Sequence, residues 1–200
     1  MLWLARRAAL LTVLLTIGCR VSQPLPSEIQ QAAPAGHRLL YRDGQLPSLV
    51  LPDGRKQAVR SLLNVDRPIH YGDYIWDDRN VPDGPVWIRV DLDRQTLSVF
   101  RDGQEIGTTL ILYGADGRPT PTGVFPILQK ARYHRSTLYD AEMPYMLRLT
   151  GDGVAIHASN VRRRAATHGC IGVPASFARL LFDAVKRGDI VAIEHGGKRA

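Results

Sequence analysis

The stretch that decides the fold is residues 155–174, which read AIHASNVRRRAATHGCIGVP. It opens within a short apolar run, GVAIHA, which predicts a strand that brings His157 to a sheet margin. It closes on a glycine-containing turn, THGC, that holds Cys170. The residues that follow carry apolar side chains at helical spacing and end at Gly188. We therefore expect Cys170 in a turn at the mouth of a helix.

Four chemical roles are open to Cys170. It could be a buried apolar residue, because cysteine is among the residue types most often found inside proteins. It could be a nucleophile, since a nearby imidazole such as His157, or a helix N-terminus, would lower the thiol pKa and populate the thiolate. It could be a disulfide half, or one of the possible metal ligands His157, His168, Cys170 and His195. No C-x-x-C or H-x-x-x-H pair supports zinc, so we predict no metal.

The N-terminus predicts export. Two basic residues, Arg6 and Arg7, precede an uncharged apolar run over residues 8–17, which is the pattern of a secretory signal. The run is shorter than the about 20 apolar residues of a membrane-spanning helix. It ends in Gly18-Cys19, which resembles a bacterial lipobox even though Thr and Ile stand before the glycine. We expect a signal peptide at 1–18, lipidation of Cys19, and a periplasmic or envelope location with membrane anchoring.

Export leaves the disulfide role with little support. The chain has two cysteines, and if Cys19 is lipidated or removed, the mature protein keeps Cys170 alone. A single thiol cannot form an intramolecular disulfide. An unpaired thiol in an oxidising compartment is a liability unless it is buried or used. The remaining choice is therefore between a buried thiol and a nucleophile.

Composition indicates one globular domain with additional segments. The chain has 200 residues, of which 44% are hydrophobic and 22% charged, with a net charge of +7. A basic protein suits nucleic acid, an anionic envelope polymer or a lipid surface equally well. No zinc-finger, helix-turn-helix or RNP pattern is present, so we expect no nucleic acid partner. No glycine-rich phosphate loop is found either, and we expect no cofactor.

Outside residues 155–174, most of the sequence pattern predicts β-strands. VWIRVDL and TLSVF alternate apolar and polar residues, and the RDGQ between TLSVF and EIGTTLILYG predicts a tight hairpin. YMLRLT and IVAIEH are further strand candidates, and only PASFARLLFDAVKRG is helical. We predict a mainly β sandwich or barrel-like sheet with one helix near the C-terminus. The domains are then residues 1–18 as the signal, 19–84 as a linker and small N-terminal extension, 85–195 as the main domain and 196–200 as a tail.

Several of these stretches, taken together, resemble the L,D-transpeptidase (YkuD-like) family. AIHASNVRRRAATHGCIGVP matches its strand-borne histidine followed, after a variable loop, by Ser/Thr-His-Gly-Cys. VDLDRQTLSVFRDGQEIGTTLILYG, RPTPTGVFPI and MPYMLRL resemble its upstream strands and its Thr-Pro-Thr-Gly loop, in the same order. The resemblance covers about residues 85–194. It implies a β-rich, exported enzyme that acts on peptidoglycan stem peptides in cell wall biogenesis.

The resemblance also implies roles for single residues. Cys170 is the nucleophile that forms a thioester with the stem peptide, and His157 is the general base. A backbone carbonyl at Ala158 or Ser159 orients the imidazole. Gly169 lies at the oxyanion site, with Thr167 and His168 as supporting residues. Candidate substrate contacts are Tyr145, Arg148, Arg164 and Gly172.

Two departures from the family pattern stand out. Gly172 occupies a position where the family usually has Arg or Asn. The His-to-Cys interval, 170 − 157 = 13, is shorter than is typical, and its loop contains Arg162, Arg163 and Arg164. Those arginines could meet peptide carboxylates or simply form a solvated turn.

Three functions stay open from sequence. The first is a transpeptidase that transfers the acyl group to an amine. The second is an L,D-carboxypeptidase or amidase, in which water resolves the same thioester. The third is a non-catalytic peptidoglycan-binding module of the envelope.

Overall fold

The structure, a computed structural model, describes residues 38–42, 44–115, 117–136 and 140–196. The predicted signal peptide, Cys19 and most of the tail lie outside these ranges. Within them, no helix is long and apolar enough to span a bilayer. The elements are β1 Arg38–Leu40, β2 Ser48–Val50, β3 Lys56–Ala58, β4 Ser61–Leu63, β5 Tyr74–Trp76, β6 Val86–Asp91, β7 Thr96–Arg101, β8 Gln104–Leu110, β9 Gly123–Pro126, β10 Gln129–Ala131, β11 Met146–Arg148, β12 Ala155–Ala158, β13 Ile171–Val173, α1 Ala175–Ala184 and β14 Ile190–Glu194.

The larger sheet grows around the predicted meander β6–β7–β8. Its order is β1-β4-β8-β7-β6-β14-β9, and β5 also pairs with β8. The meander turns at Asp102 and Gly103, where both residues have positive φ, of 47° and 71°. Two consecutive left-handed residues suit a tight hairpin whose twist matches that of its strands. The RDGQ prediction is therefore confirmed.

Buried apolar side chains cover both faces of the larger sheet, and β6 contributes to each. Ile88 and Val90 point into the main core, together with Phe177 and Leu181 of α1. Trp87 points to the other face and stacks on Phe100, with ring centroids 4.2 Å apart. That second cluster includes Leu51 and Val59, which flank the β2–β3 hairpin.

The smaller sheet carries His157, and Cys170 directly precedes its strand β13. Its order is β10-β11-β12-β13, and its last pair, β12 with β13, is parallel. Residues of β11, β12 and β13 share the main core with the helix and the larger sheet. The predicted mainly β, sandwich-like architecture with one helix is thus what the described residues form.

Within residues 155–174, one local expectation is corrected and one is confirmed. Cys170 does not lie at the mouth of the helix, because Ile171–Val173 forms β13 and α1 begins only at Ala175. His157 is the next-to-last residue of β12, an inner strand between β11 and β13, and its side chain lines a cleft as predicted. The residues after Cys170 are extended because β13 pairs with β12 on one edge and Gly172 exchanges two backbone hydrogen bonds with Leu112 on the other.

Residues before position 85 contribute strands to the larger sheet. β1 and β4 extend it beyond β8, and β5 pairs with β8 in antiparallel register. The indole of Trp76 lies against Gly107, where a Cβ would come within 2.4 Å of the ring. Trp76 also contacts Phe177 edge-on at 5.4 Å. The division of the chain at residue 85 stays a prediction, but the extension is hydrogen-bonded into the sheet.

Candidate active site

Parallel pairing of β12 and β13 brings the two predicted catalytic residues to one place. His157 lies opposite Gly172 in the register, and Cys170 directly precedes β13. Both side chains line a cleft of about 500 Å³. The loop between the two residues starts and ends on neighbouring strands, which are joined where Ser159 N–H donates to Val173 O at 2.8 Å. A strand-borne imidazole and a turn thiol therefore face the same space.

The imidazole of His157 is oriented by the backbone. Its Nδ1 lies 2.9 Å from the carbonyl oxygen of Ala158, so Nδ1 carries the proton and donates it. The other nitrogen, Nε2, is then a proton acceptor. Burial lowers the pKa of His157 below its ordinary value, and the charge of His134 lowers it further, while the Ala158 bond raises it in part. His157 is thus a neutral base at neutral pH.

The thiol of Cys170 is also neutral at rest. Burial raises the pKa of Cys170, and the nearby carboxylate of Asp152 adds to that, while the backbone N–H of Ala155 lowers it in part. The Sγ atom lies 3.8 Å from the carbonyl oxygen of Gly153. Cys170 packs against an apolar cluster that includes Met143 and Met146. The expected lowering of the thiol pKa is therefore wrong: the site is desolvated and has no helix N-terminus at the sulfur.

Gly169 is required by backbone conformation. Its φ is +106°, a region that residues with a side chain rarely adopt. A Cβ there would meet no atom closer than 3.7 Å, so the space itself is open. The Thr167 hydroxyl donates to the carbonyl oxygen of Cys170 and closes the turn. His168 is exposed and lines the cleft beside it.

Sequence analysis missed a threonine that braces this turn. Thr120 belongs to the RPTPTG loop and is buried, with 5% of its surface exposed. Its hydroxyl accepts from Gly114 N–H at 2.9 Å and donates to Gly169 O at 2.9 Å. The loop was recognised only as part of a family pattern, and nothing in it singled out Thr120 for this role.

A second missed residue is His134. It belongs to the segment 132–136 and 140–145, which folds back on itself between β10 and β11: Met143 N–H donates to His134 O at 2.8 Å. The His134 side chain lines the cleft together with His157. No motif marks it, because its place in the cleft arises only when this segment pairs with itself.

Two of the predicted substrate contacts, Arg148 and Tyr145, make contacts within the protein. Arg148 lines the cleft, but its guanidinium donates to the carbonyl oxygens of Thr150 at 3.1 Å and Gly151 at 2.8 Å. Tyr145 packs edge-on against Phe182 of the helix, with ring centroids 5.8 Å apart. The structure thus gives Arg148 a turn-bracing contact and Tyr145 a packing contact.

Two further predicted contacts lie away from the cleft wall. Arg164 lines a separate, smaller pocket of about 250 Å³, together with Tyr71, Gln95 and Tyr113. Gly172 is buried in β13, under the side chain of Ser159. The Ser159 hydroxyl in turn lies 3.4 Å from His157 Nδ1.

The alternative metal site does not form within the described residues. No group of three or more His, Cys, Asp or Glu side chains in these ranges could hold a metal ion. His195 instead pairs with Asp93, at 2.7 Å between Nδ1 and a carboxylate oxygen.

Comparison with known proteins agrees with this geometry. The profile of the YkuD family, described as the L,D-transpeptidase catalytic domain, matches residues 85–193. The chain belongs to this family. The match includes β12, β13 and the turn that carries Cys170.

Relatives of the family are similar over about half of the chain. L,D-transpeptidase 1 of Mycobacterium tuberculosis is 29% identical over 119 residues, which is 51% of this chain and 47% of the relative. The solved L,D-transpeptidase of Stackebrandtia nassauensis is 26% identical, with a TM-score of 0.52 over 56% of this chain and 57% of that one. LD transpeptidase LdtMt1, solved in complex with imipenem, is also 26% identical, with a TM-score of 0.50 over 55% and 58% of the two chains. The chain spans about half the length of the curated relatives it matches.

Proposed function

We propose that this protein is an exported cysteine transpeptidase that acts on peptidoglycan stem peptides through a thioester on Cys170. The observation that supports it most is the shared cleft: a thiol at Cys170, and an imidazole at His157 whose Nδ1 is held by Ala158 O so that Nε2 is the basic atom. Family membership supplies the reaction class. The basic net charge of +7 suits an anionic wall, and the N-terminal signal pattern suits export with an anchor at Cys19.

The first half-reaction forms the thioester. As Cys170 Sγ attacks the carbonyl carbon of the L,D peptide bond after the third stem residue, its proton moves to His157 Nε2. The oxyanion receives hydrogen bonds from backbone N–H groups of the Gly169-Cys170 turn. When the C–N bond breaks, His157 Nε2–H protonates the leaving amine of D-alanine.

In the second half-reaction, an acceptor amine attacks the thioester carbonyl and passes its proton to Nε2. The C–S bond breaks, the thiolate takes that proton back, and the resting thiol and neutral imidazole are restored. Because both groups are neutral at rest, proton transfer accompanies attack, and no thiolate needs to exist beforehand.

Muropeptides test the complete transfer reaction, and imipenem tests acylation of Cys170 alone. With purified stem muropeptides, we expect mass spectrometry to show dimers linked through diaminopimelate with loss of D-alanine. With imipenem, we expect the intact protein to gain one adduct mass. Replacing Cys170 by Ala should remove both signals. Replacing His157 by Ala should slow both by about 100-fold or more, which is the usual contribution of a general base.

The controls separate the competing assignments. His195→Ala is a matched histidine variant away from the cleft and should retain both signals, since that ring pairs with Asp93. Shortened stems without dimers would reassign the protein as a hydrolase. Persistent activity in Cys170→Ala would reject the nucleophile, and stem-peptide binding without turnover or adduct would indicate a binding module.

A further inference from the structure

Gly172 stands in a tightly held part of the site. Its N–H donates to Leu112 O and its carbonyl accepts from Leu112 N–H, both at 2.9 Å. On its other edge it pairs with His157 in the parallel register of β12 and β13. β13 is hydrogen-bonded along both edges, through Gly172 itself to Leu112 and through Val173 O to Ser159 N–H on the β12 side, so the backbone at Gly172 has little freedom to move aside.

The space a side chain would need at position 172 is already taken by Ser159. A Cβ on Gly172 would lie 2.7 Å from Ser159 Oγ and 2.8 Å from Ser159 Cβ, closer than real Cβ contacts come. Rotating the hydroxyl relieves only the first of these contacts. The second involves an atom attached to the Ser159 backbone, which is itself tied to Val173 O at 2.8 Å.

Ser159 in turn touches the predicted base. Its Oγ lies 3.4 Å from His157 Nδ1, beside the Ala158 carbonyl oxygen at 2.9 Å. The Nδ1 proton therefore faces two oxygen acceptors, one from the backbone and one from a side chain. Any residue larger than glycine at 172 would push Ser159, and through it the segment that holds the imidazole.

We propose that Ser159 is a positioning residue for His157, and that glycine at 172 exists to make room for it. The hydroxyl oxygen is the second acceptor for Nδ1–H: it limits rotation of the ring, keeps Nε2 toward the cleft and stabilises the imidazolium formed during attack. The inference rests on the proposed function insofar as His157 is the base of that reaction. It gives a physical reason for the departure of this chain from the Arg or Asn usual at this position.

The first test uses the coupling between the two positions. We expect Gly172→Ala to lower kcat by about tenfold or more with KM changed by about twofold or less, because substrate contacts remain while the base is displaced. In a Ser159→Gly background, the clashing Cβ is gone, and the same Gly172→Ala change should cost about threefold or less. In a Ser159→Ala background, the Cβ at 2.8 Å remains, so the full loss should persist. Equal losses in all three backgrounds would overturn the proposal.

The second test leaves Gly172 untouched, so that it stands even if the Gly172 variants fold poorly. Ser159→Ala keeps the Cβ and removes only the hydroxyl. We expect kcat to fall by about threefold to tenfold, the range of one hydrogen bond, with little change in KM or Tm. We also expect the pKa of His157 to fall, which moves the acid limb of the pH–rate profile to lower pH. Ser159→Thr, which keeps a hydroxyl, should retain most of the activity.

A substrate-free readout separates this inference from the proposed function. The His157 ring can be titrated by NMR; the other charged or titratable groups that line the same cleft are Arg118, His134, Arg148, Asp152, His168 and Cys170. A downward shift in Ser159→Ala would support the positioning role even if muropeptides gave no turnover. Normal muropeptide turnover together with an unchanged His157 titration and unchanged kcat in Ser159→Ala would reject the positioning role while leaving the proposed function intact.

Discussion

Cys170 and His157 both favour their uncharged forms in this site. A thiol in a desolvated, methionine-lined wall and an imidazole in a buried strand both favour their neutral forms. The neutral form also protects Cys170, because a thiol reacts more slowly than a thiolate with oxidants and disulfides. The same environment still permits attack, since His157 Nε2 can take the proton as the new bond forms.

The contribution of Asp152 to this state can be measured directly. Asp152 is exposed at the rim of the cleft, and its negative charge helps to raise the pKa of Cys170. We expect Asp152→Asn to lower that pKa and to speed alkylation of Cys170 by iodoacetamide at neutral pH by about twofold, with the difference shrinking at high salt. Asp53→Asn, on the remote β2–β3 turn, should leave the rate unchanged. An unchanged or slower rate in Asp152→Asn would contradict the assignment.

At the scale of elements, the site depends on a loop that supplies no reactive group. The RPTPTG loop precedes β9, and Thr120 within it joins two backbone segments: the strand exit at Gly114 and the cysteine turn at Gly169. Since Gly169 already has a left-handed backbone, an external bond at its carbonyl helps to hold the turn in one conformation. The loop thus acts as a brace under Cys170.

Replacing the brace should loosen the turn. Thr120→Val keeps the shape but leaves the Gly114 N–H and the Gly169 carbonyl without this partner, so we expect a loss of about 1–3 kcal/mol in the free energy of unfolding. Imipenem acylation of Cys170 should slow as well. Thr122→Val, two residues along the same loop at an exposed position, should change neither urea unfolding nor acylation. Equal effects of the two variants would mean that the loop contributes through its apolar contacts alone.

Local patterns predicted the elements that have enough residues to show a period. The alternation of β6 and β7, the hairpin turn at Asp102-Gly103 and the helix were all visible in sequence. Three-residue strands such as β1 and β4 show no period; β4 forms on the edge of β8, and β1 forms on the edge of β4. His134 was missed for the same reason, since its place in the cleft depends on contacts distant in sequence.

At the scale of the whole molecule, the extension before residue 85 is joined to the sheet by a buried charge. Arg38 in β1 is 9% exposed and donates to Ser61 Oγ and to the backbone oxygens of Glu105 and Asp77. The Glu105 carboxylate in β8 is also buried and accepts from Leu63 N–H at 3.0 Å. Burial raises the pKa of Glu105, while hydrogen bonds from Ser98 and from Leu63 N–H, and then the charges of Arg38 and Arg89, oppose that rise. The extension therefore supplies one of the two arginine charges that favour the ionised form of this buried carboxyl group.

This coupling makes the cost of losing Arg38 dependent on pH. Because the folded-state pKa of Glu105 is raised, its contribution to stability is greatest at low pH and is lost as pH rises through that pKa. Arg38→Met removes one of the charges that oppose this rise and so raises the pKa of Glu105 further; we expect a loss of about 1–3 kcal/mol at pH 7 and a smaller loss at pH 5. Urea unfolding at the two pH values measures the difference. Arg55→Met, at an exposed arginine of the same extension, should cost little at either pH. Equal losses for Arg38→Met at pH 5 and pH 7 would show that Glu105 is not the group to which Arg38 is coupled.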